Sequence, residues 1–270
     1  MQRQTLYTEN DAHEALPKVI AAKNRLIQIR NDVVIEAWIE HVDYPFLEQH
    51  GKEVDLILDA TDNFDTRQLI NDFAYKHHIP WIYGGVVQST YAEATFIPEQ
   101  TPCFNCLMPQ LPSVNLTCDT VGVIQPAVTM TTSLQLKDAL KLLTGHDIKP
   151  QLTYGDIWEG DHYRIGFSKM HQDQCPTCGS RPHFPYLNQE RQNYATLCGR
   201  DTVQYKNKNI SQEILTTFLE QHHIHYRTNL YMTIFKFRGH RIVAFNGGRF
   251  LIHNMTQPQQ AIQLINQLFG

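Results

Sequence analysis

Four of the chain's six cysteines stand in two C-x-x-C pairs, Cys103-Phe104-Asn105-Cys106 and Cys175-Pro176-Thr177-Cys178. Sixty-eight residues, 107–174, separate them. Two such knuckles supply four thiolates, the ligand set of a tetrahedral structural zinc. A closed four-thiolate shell leaves no position for water, so this metal would staple two distant loops rather than catalyse. A redox C-x-x-C is the competing chemistry, and the second copy argues against it. Cys118, in Leu116-Thr117-Cys118-Asp119, lies among polar residues ahead of an expected helix start. A cysteine there is either an inert small residue or a nucleophile with a lowered pKa. Cys198 is read as a core residue of a small C-terminal domain.

A second group of chemical residues follows an apolar stretch. Val54-Asp55-Leu56-Ile57-Leu58 is expected to be a strand buried on both faces, as inside a parallel sheet. It breaks into Asp59, Thr61, Asp62 and Asn63. Phe64 to His78 then carries Leu69, Ile70, Phe73 and Ala74 at helical spacing. In open α/β sheets, ligands sit outside the carboxyl ends of the strands, where Asp62 and Asn63 would lie. An ordinary helix cap uses the same residue types, and the two roles are compatible.

Around these groups the pattern alternates. Residues 5–15 are expected to be a loop, and Pro17 opens a helix through Val19, Ala22, Leu26 and Ile29. A strand over Val33 to His41, the central strand, its helix and a strand from Pro80 to Gly85 complete a doubly wound α/β pattern. Val86 to Pro98 and Tyr154 to Phe167 are expected to be further sheet. Between them a helix from Pro126 to Leu143 shows Leu136, Ala139, Leu140 and Leu143 on one face, with Gly145 as its stop. The expected organisation is one domain over residues 1–180, a linker over 181–192 and a small α+β domain over 193–270. In that last domain Ile214 to Leu219 and Ala261 to Leu268 mark helices. Leu230 to Phe237, Arg241 to Phe245 and Phe250 to His253 mark strands.

Composition narrows the function. A hydrophobic content of 42% is enough for a packed core. The formal net charge is −4 and there is no basic block, which argues against nucleic acid as a partner. No apolar run reaches the ~18 residues of a membrane span, and the first residues carry no signal-peptide pattern. A cytoplasmic location is expected, with thiols kept reduced.

The ordered set Gln2-Arg3-Gln4, Pro17-Lys18, Thr61-Asp62-Asn63, Cys103-x-x-Cys106, Thr117-Cys118, Ser133-Leu134-Gln135, Lys141-Leu142-Leu143-Thr144-Gly145 and Cys175-x-x-Cys178 resembles the ThiF/MoeB/HesA proteins. These are bacterial relatives of ubiquitin-activating E1 enzymes. The run from Leu197 to Gln204 and the run from Gly248 to His253 are similar to the extra C-terminal domain of ThiF-type proteins in Firmicutes. The resemblance implies a Rossmann-like sheet and adenylation, with Mg-ATP, of the C-terminal glycine of a ubiquitin-like sulfur carrier of ThiS or MoaD type. The pathway implied is thiamine or molybdopterin synthesis, and the assembly a homodimer. It further implies that Gln2, Arg3 and Lys18 meet the nucleotide, with Arg3 and Lys18 at its phosphates. Asp62 would hold Mg²⁺, Asn63 would help hold the nucleotide, and Arg3, Asp62 and Cys118 would be the catalytic residues. Taken alone, Arg3 and Lys18 are ordinary surface charges.

The sequence also departs from that pattern. The family's first strand, its G-x-G-x-x-G turn and the following strand with its acidic residue have no counterpart among residues 1–270, and Met1 stands where leucine is expected. The expectation is therefore a sheet lacking its first strands. A non-catalytic, zinc-stapled module that binds a ubiquitin-like carrier is the alternative function. An NAD-dependent dehydrogenase shares the fold class but not the four-cysteine set.

Overall fold

A computed structural model describes residues 4–108, 121–187, 194–197, 201–207 and 209–269, with backbone alone for 194–197. In chain order the elements are α1 (Glu9–His13), α2 (Lys18–Ile29), α3 (Tyr44–His50), β1 (Ile57–Leu58), α4 (Phe64–Lys76), β2 (Trp81–Val87), β3 (Thr90–Phe96), α5 (Phe104–Leu107), α6 (Gln125–Leu143), β4 (Gln151–Asp156) and β5 (Tyr163–Gly166). Then follow β6 (Tyr194–Leu197), β7 (Thr202–Lys206), α7 (Gln212–Gln221), β8 (Tyr226–Thr228), β9 (Met232–Phe237), β10 (His240–Phe245), β11 (Arg249–His253) and α8 (Pro258–Phe269). The chain divides into two compact units, one formed by Glu40–Gln189 and the other by Thr5–Ile39 with Glu190–Gly270. Together they make a mixed α/β protein with two sheets.

The unit from Glu40 to Gln189 holds a five-stranded sheet in the order β1-β2-β3-β4-β5. β1 runs parallel to β2, with Ile57 opposite Trp81, and the crossover between them is α4. The other pairs are antiparallel. β1 is shorter than the apolar run expects. It pairs with β2 on one side, and no strand covers its other edge among the described residues. Val54 and Leu58 are consequently exposed rather than buried on both faces. Val33 to His41 is not a strand either: it pairs with no strand among the described residues, and Val34 is 90% exposed. Residues 5–15 are not all loop either. A capping box between Thr8 and Asp11 nucleates α1.

The core of this unit is aromatic. Trp81, Phe96, Phe104 and Phe167 are fully buried, with Trp81 and Phe96 stacked at 4.8 Å. α6 lies on β2 and β3, but with a different face from the one its leucines mark. Ala127, Thr131, Leu134, Gln135, Asp138 and Ala139 are buried, while Leu136, Leu140 and Leu143 are 56–64% exposed. The inward face carries polar groups that the sheet beneath it binds, so apolar periodicity alone points to the wrong side.

The second unit has a six-stranded antiparallel sheet in the order β6-β7-β11-β10-β9-β8. α7 and α8 supply Leu215, Leu219, Leu264, Ile265 and Leu268 to a core with Phe235, Ile242, Phe250 and Ile252. The α1–α2 segment joins the same unit: Asn229 donates to the Glu14 and Ala15 carbonyls at 3.1 and 3.2 Å, and Arg227 donates to that of His13.

Beneath α6, Glu93 on β3 and Asp138 form a buried acidic pair. The Thr95 hydroxyl lies 3.2 Å from a carboxylate oxygen of each. Burial, reinforced by the Asp138 charge, pushes the Glu93 carboxyl up to about 7. A carboxyl whose pKa is raised on folding contributes stability that is complete below its unfolded value and is lost as pH rises through its folded value. Stability from this pair should therefore fall between about pH 4.5 and pH 7. Glu93→Gln should flatten that dependence and leave the variant more stable than the parent at pH 8. Urea midpoints at pH 5.5 and 8 check this, and parallel pH profiles for the two proteins would contradict it.

Candidate nucleotide and metal sites

Helix α4 sets both candidate sites. Every residue from Thr66 to Tyr75 is buried, and Arg67, Asn71, Asp72 and Tyr75 pair within the fold. At its N-terminal end the guanidinium of Arg67 bonds Asp59 at 3.0 Å, and both groups are almost fully buried. Arg67 also donates to the carbonyls of Thr61 at 2.6 Å and Gly84 at 3.0 Å, and lies over the Tyr83 ring. The other Asp59 oxygen accepts from the Thr61 backbone and hydroxyl at 2.8 and 2.6 Å. From α6, Gln135 donates to the Asp59 carbonyl at 2.7 Å. Its amide packs so closely on Gly84 that a Cβ there would lie 2.6 Å from Nε2. These bonds fix the β1–α4 turn against β2 and α6.

That turn presents Asp62, which is exposed, and Asn63, which is half-buried. Asn63 is the N-cap of α4, its Oδ1 accepting from the Thr66 N–H at 2.8 Å. Its Nδ2 donors are the part of the side chain that the cap does not use. Lys18 belongs to the other unit, as the first residue of α2 after Pro17, and is exposed. Gln2, Arg3, Cys118 and Cys198 lie outside the described residues.

The C-terminal half of α4 holds the cysteine knuckles. Asn71 accepts from the Phe104 N–H at 2.9 Å, within the first knuckle. Tyr75 donates to the carbonyls of Thr101 and Pro102 just before it, both at 3.0 Å. Asp72 accepts from the Thr177 hydroxyl at 2.5 Å and from the Tyr186 N–H at 2.9 Å, tying down the second knuckle. Asn105 donates to the same Thr177 oxygen at 2.7 Å, so the knuckles are joined side chain to side chain. Burial raises the pKa of Asp72, and its two hydrogen bonds oppose the rise. Gly179 closes the second turn, with its N–H on the Cys175 carbonyl at 3.0 Å. A Cβ there would fall 2.4 Å from the Asp173 oxygen, so glycine is required.

Cys103, Cys106, Cys175 and Cys178 are thereby brought together, with all four sulfurs within 4.8 Å of one another. The Cys103–Cys175 and Cys106–Cys178 sulfurs are 3.4 and 3.5 Å apart. Tetrahedral bonds of ~2.3 Å to a common zinc would set sulfurs about 3.8 Å apart, close to this arrangement. Three of the cysteines are buried and Cys178 is half-buried. Hydrogen bonding among the thiols holds the Cys106 and Cys175 pKa values down, to about 7 for Cys106, and drives Cys103 and Cys178 up. The donor set suits a soft or borderline divalent cation.

The supporting groups left little trace in the sequence. Arg67, Asn71, Asp72 and Tyr75 look like the wet side of an amphipathic helix. The available signal was that these residues alternate with an equally apolar face, which makes a helix buried all round plausible. The same holds for Gln135 and Asp138 on α6.

A turn at a strand's carboxyl end, braced by a buried ion pair and joined through one helix to a four-thiolate cluster, defines a Rossmann-like protein with a metal-competent staple. The ThiF family matches residues 1–178, and the chain belongs to that family. Over 274 aligned positions it is 37% identical to the sulfur carrier protein ThiS adenylyltransferase of Bacillus subtilis strain 168, covering 100% of this chain and 81% of that protein. It is 31% identical to the molybdopterin-synthase adenylyltransferase of Escherichia coli K12 over 179 residues, which is 66% of this chain and 70% of that one. A crystal structure of E. coli MccB with ATP shares the fold, with a TM-score of 0.55 at 17% identity, over 66% of this chain and 55% of that chain.

The Thr177 hydroxyl links both knuckles to α4, so Thr177→Val should loosen the cluster without removing a ligand. Affinity for Zn²⁺, measured by competition with a chromophoric chelator, should fall by roughly 10–100-fold, the usual cost of losing a group that orients metal ligands. Unchanged affinity would show that the knuckles are positioned by their backbones alone.

Proposed function

We propose that this chain adenylates the C-terminal glycine of a ubiquitin-like sulfur carrier of ThiS or MoaD type, using Mg-ATP, in thiamine or molybdopterin synthesis. The observation that carries this proposal is the braced β1–α4 turn, which holds Asp62 and Asn63 at a strand's carboxyl end in a ThiF-family chain. Curated relatives bear the name adenylyltransferase, and no described helix is long and apolar enough to cross a membrane.

The reaction joins a carboxylate to the α-phosphorus of ATP and releases pyrophosphate. Both reactants are anionic, so the protein must neutralise charge and hold the two groups in line. Asp62 is exposed, as a group that shares Mg²⁺ with phosphates and water should be. Asn63 offers its Nδ2 donors to the nucleotide while its Oδ1 caps α4. Lys18, in the first turn of α2, is assigned to the phosphates. Gln2 and Arg3 are assigned to the nucleotide and Cys118 to the carrier terminus. Magnesium would supply charge neutralisation at the phosphates. Zinc on the four cysteines would supply structure only, with no open position for chemistry. The exposed stripe of Leu136, Leu140 and Leu143 suits burial against a second copy in a homodimer, and the compartment proposed is the cytoplasm.

Asp62→Ala should lower carrier-dependent exchange of pyrophosphate into ATP by at least about tenfold while leaving the fold intact, because Mg²⁺ loses its protein ligand. A variant with full exchange removes Asp62 from the magnesium site. A parent chain inactive with both ThiS-like and MoaD-like carriers refutes the function itself.

Freshly purified protein should contain about one zinc per chain by elemental analysis. A strong chelator should lower its melting temperature, because binding free energy at such a site is folding free energy. Protein free of zinc, or indifferent to the chelator, would overturn the zinc assignment and leave the adenylation proposal standing.

A further inference from the structure

The face of the C-terminal sheet opposite α7 and α8 carries an unusual register. Lys236 on β9 lies directly opposite Arg241 on β10. One strand further on, the Arg241 guanidinium reaches His253 of β11 at 3.1 Å. On the other flank, Arg227 of β8 pairs with Ile234. By strand alternation Arg227 lies on the same face as Lys236 and Arg241. Like charges directly opposite across an antiparallel pair destabilise a sheet, so a register that keeps Lys236 against Arg241 calls for compensation. Among the described residues no carboxylate lies within 4.0 Å of Arg227, Lys236 or Arg241.

These three cations, with His225 beside them, border one open groove of about 310 Å³ whose floor includes Ile234. All four basic residues are exposed. The groove has small-molecule dimensions rather than those of a peptide trough. Two opposed cations need about two negative charges at one place, and a carboxylate brings one. A phosphoryl group brings ~1.5 to 2 and three acceptor oxygens, and the guanidinium fork matches it with two parallel bonds.

We propose that this groove is a binding site for a small phosphoryl-bearing anion, a diphosphate or a phosphate monoester, held by Arg227, Lys236 and Arg241. The site lies in the C-terminal unit and is independent of the Asp62 turn and of the adenylation proposal.

The test uses the full chain with inorganic pyrophosphate, glycerol phosphate and AMP as separate probes. Backbone amide shifts are followed by NMR at constant ionic strength. Saturable shifts should appear on β8, β9 and β10. Pyrophosphate binding most tightly marks the diphosphate as the ligand, and glycerol phosphate matching it marks the monoester. The double variant Lys236→Ala/Arg241→Ala, checked for folding by its amide spectrum, should weaken binding at least tenfold. Arg241→Lys should weaken it less. The proposal is overturned if the shifts map elsewhere, if acetate competes as well as pyrophosphate does, or if the folded double variant binds like the parent. Should the double variant fail to fold, Arg227→Gln with Arg241→Gln is the second form, read by the same criteria.

Discussion

The constraint on which the rest of the Glu40–Gln189 unit depends is that α4 is buried on every side while a good part of its side chains are polar. A polar group taken from water without a partner costs about 1–3 kcal/mol, and an unpaired charge costs more. The fold therefore needs partners at set positions along the helix. Arg67 dictates where Asp59, Thr61 and Gly84 lie. Asn71, Asp72 and Tyr75 dictate where both knuckles lie. The Asp59–Arg67 pair is not favourable merely because it is an ion pair, since desolvation of both groups opposes their attraction. What it enforces is position: losing either partner would strand the other at a cost of roughly 3–5 kcal/mol.

One rigid helix thus serves two sites of different character. The N-terminal network holds the Asp62–Asn63 turn, with Asn63 using its Oδ1 as the cap of α4. The C-terminal network joins residues more than 100 positions apart, as in the Asp72–Thr177 bond. Closing a loop as long as that between the knuckles removes about 4 kcal/mol of chain entropy on the usual scaling. Much of that cost is already met by the hydrogen bonds from α4 and by the aromatic core around Phe104. A metal bound there would add its binding free energy to those interactions.

The cysteine knuckles were legible in the sequence because ligand type and spacing are local and chemically restrictive. So were the turn at Asp62, the helix after it, and both helices and three of the strands, β9, β10 and β11, of the small C-terminal unit; β6, β7 and β8 were not. What could not be read is what depends on who the neighbours are. Val54 to Leu58 has the composition of a strand buried on both faces, yet among the described residues β1 has a partner strand on one side only, and composition carries no count of partners. Val33 to His41 alternates well, but alternation alone gives no strand, and this stretch pairs with none among the described residues. On α6 the leucines at 136, 140 and 143 form the more obvious stripe. The buried face is instead the one carrying Thr131, Gln135 and Asp138, because strand carbonyls and a buried acid lie beneath it. Polar inward faces of this kind are invisible to hydrophobic periodicity.

Asn63 shows why cap and ligand readings of one residue need not compete. An N-cap uses a single side-chain oxygen to satisfy one of the helix's first N–H groups. The amide nitrogen is then pointed by the same geometry, with its rotamer fixed by the cap. A side chain already ordered in this way loses little entropy when a ligand meets it, which is the advantage of building a site on a helix end rather than on a free loop. The neighbouring Asp62 carries a full negative charge beside the positive end of α4. That end attracts phosphate, the carboxylate repels it, and a divalent cation between the two removes the conflict. In the proposed reading a metal–phosphate pair would meet this turn, which Asp59, Thr61 and Arg67 hold in place.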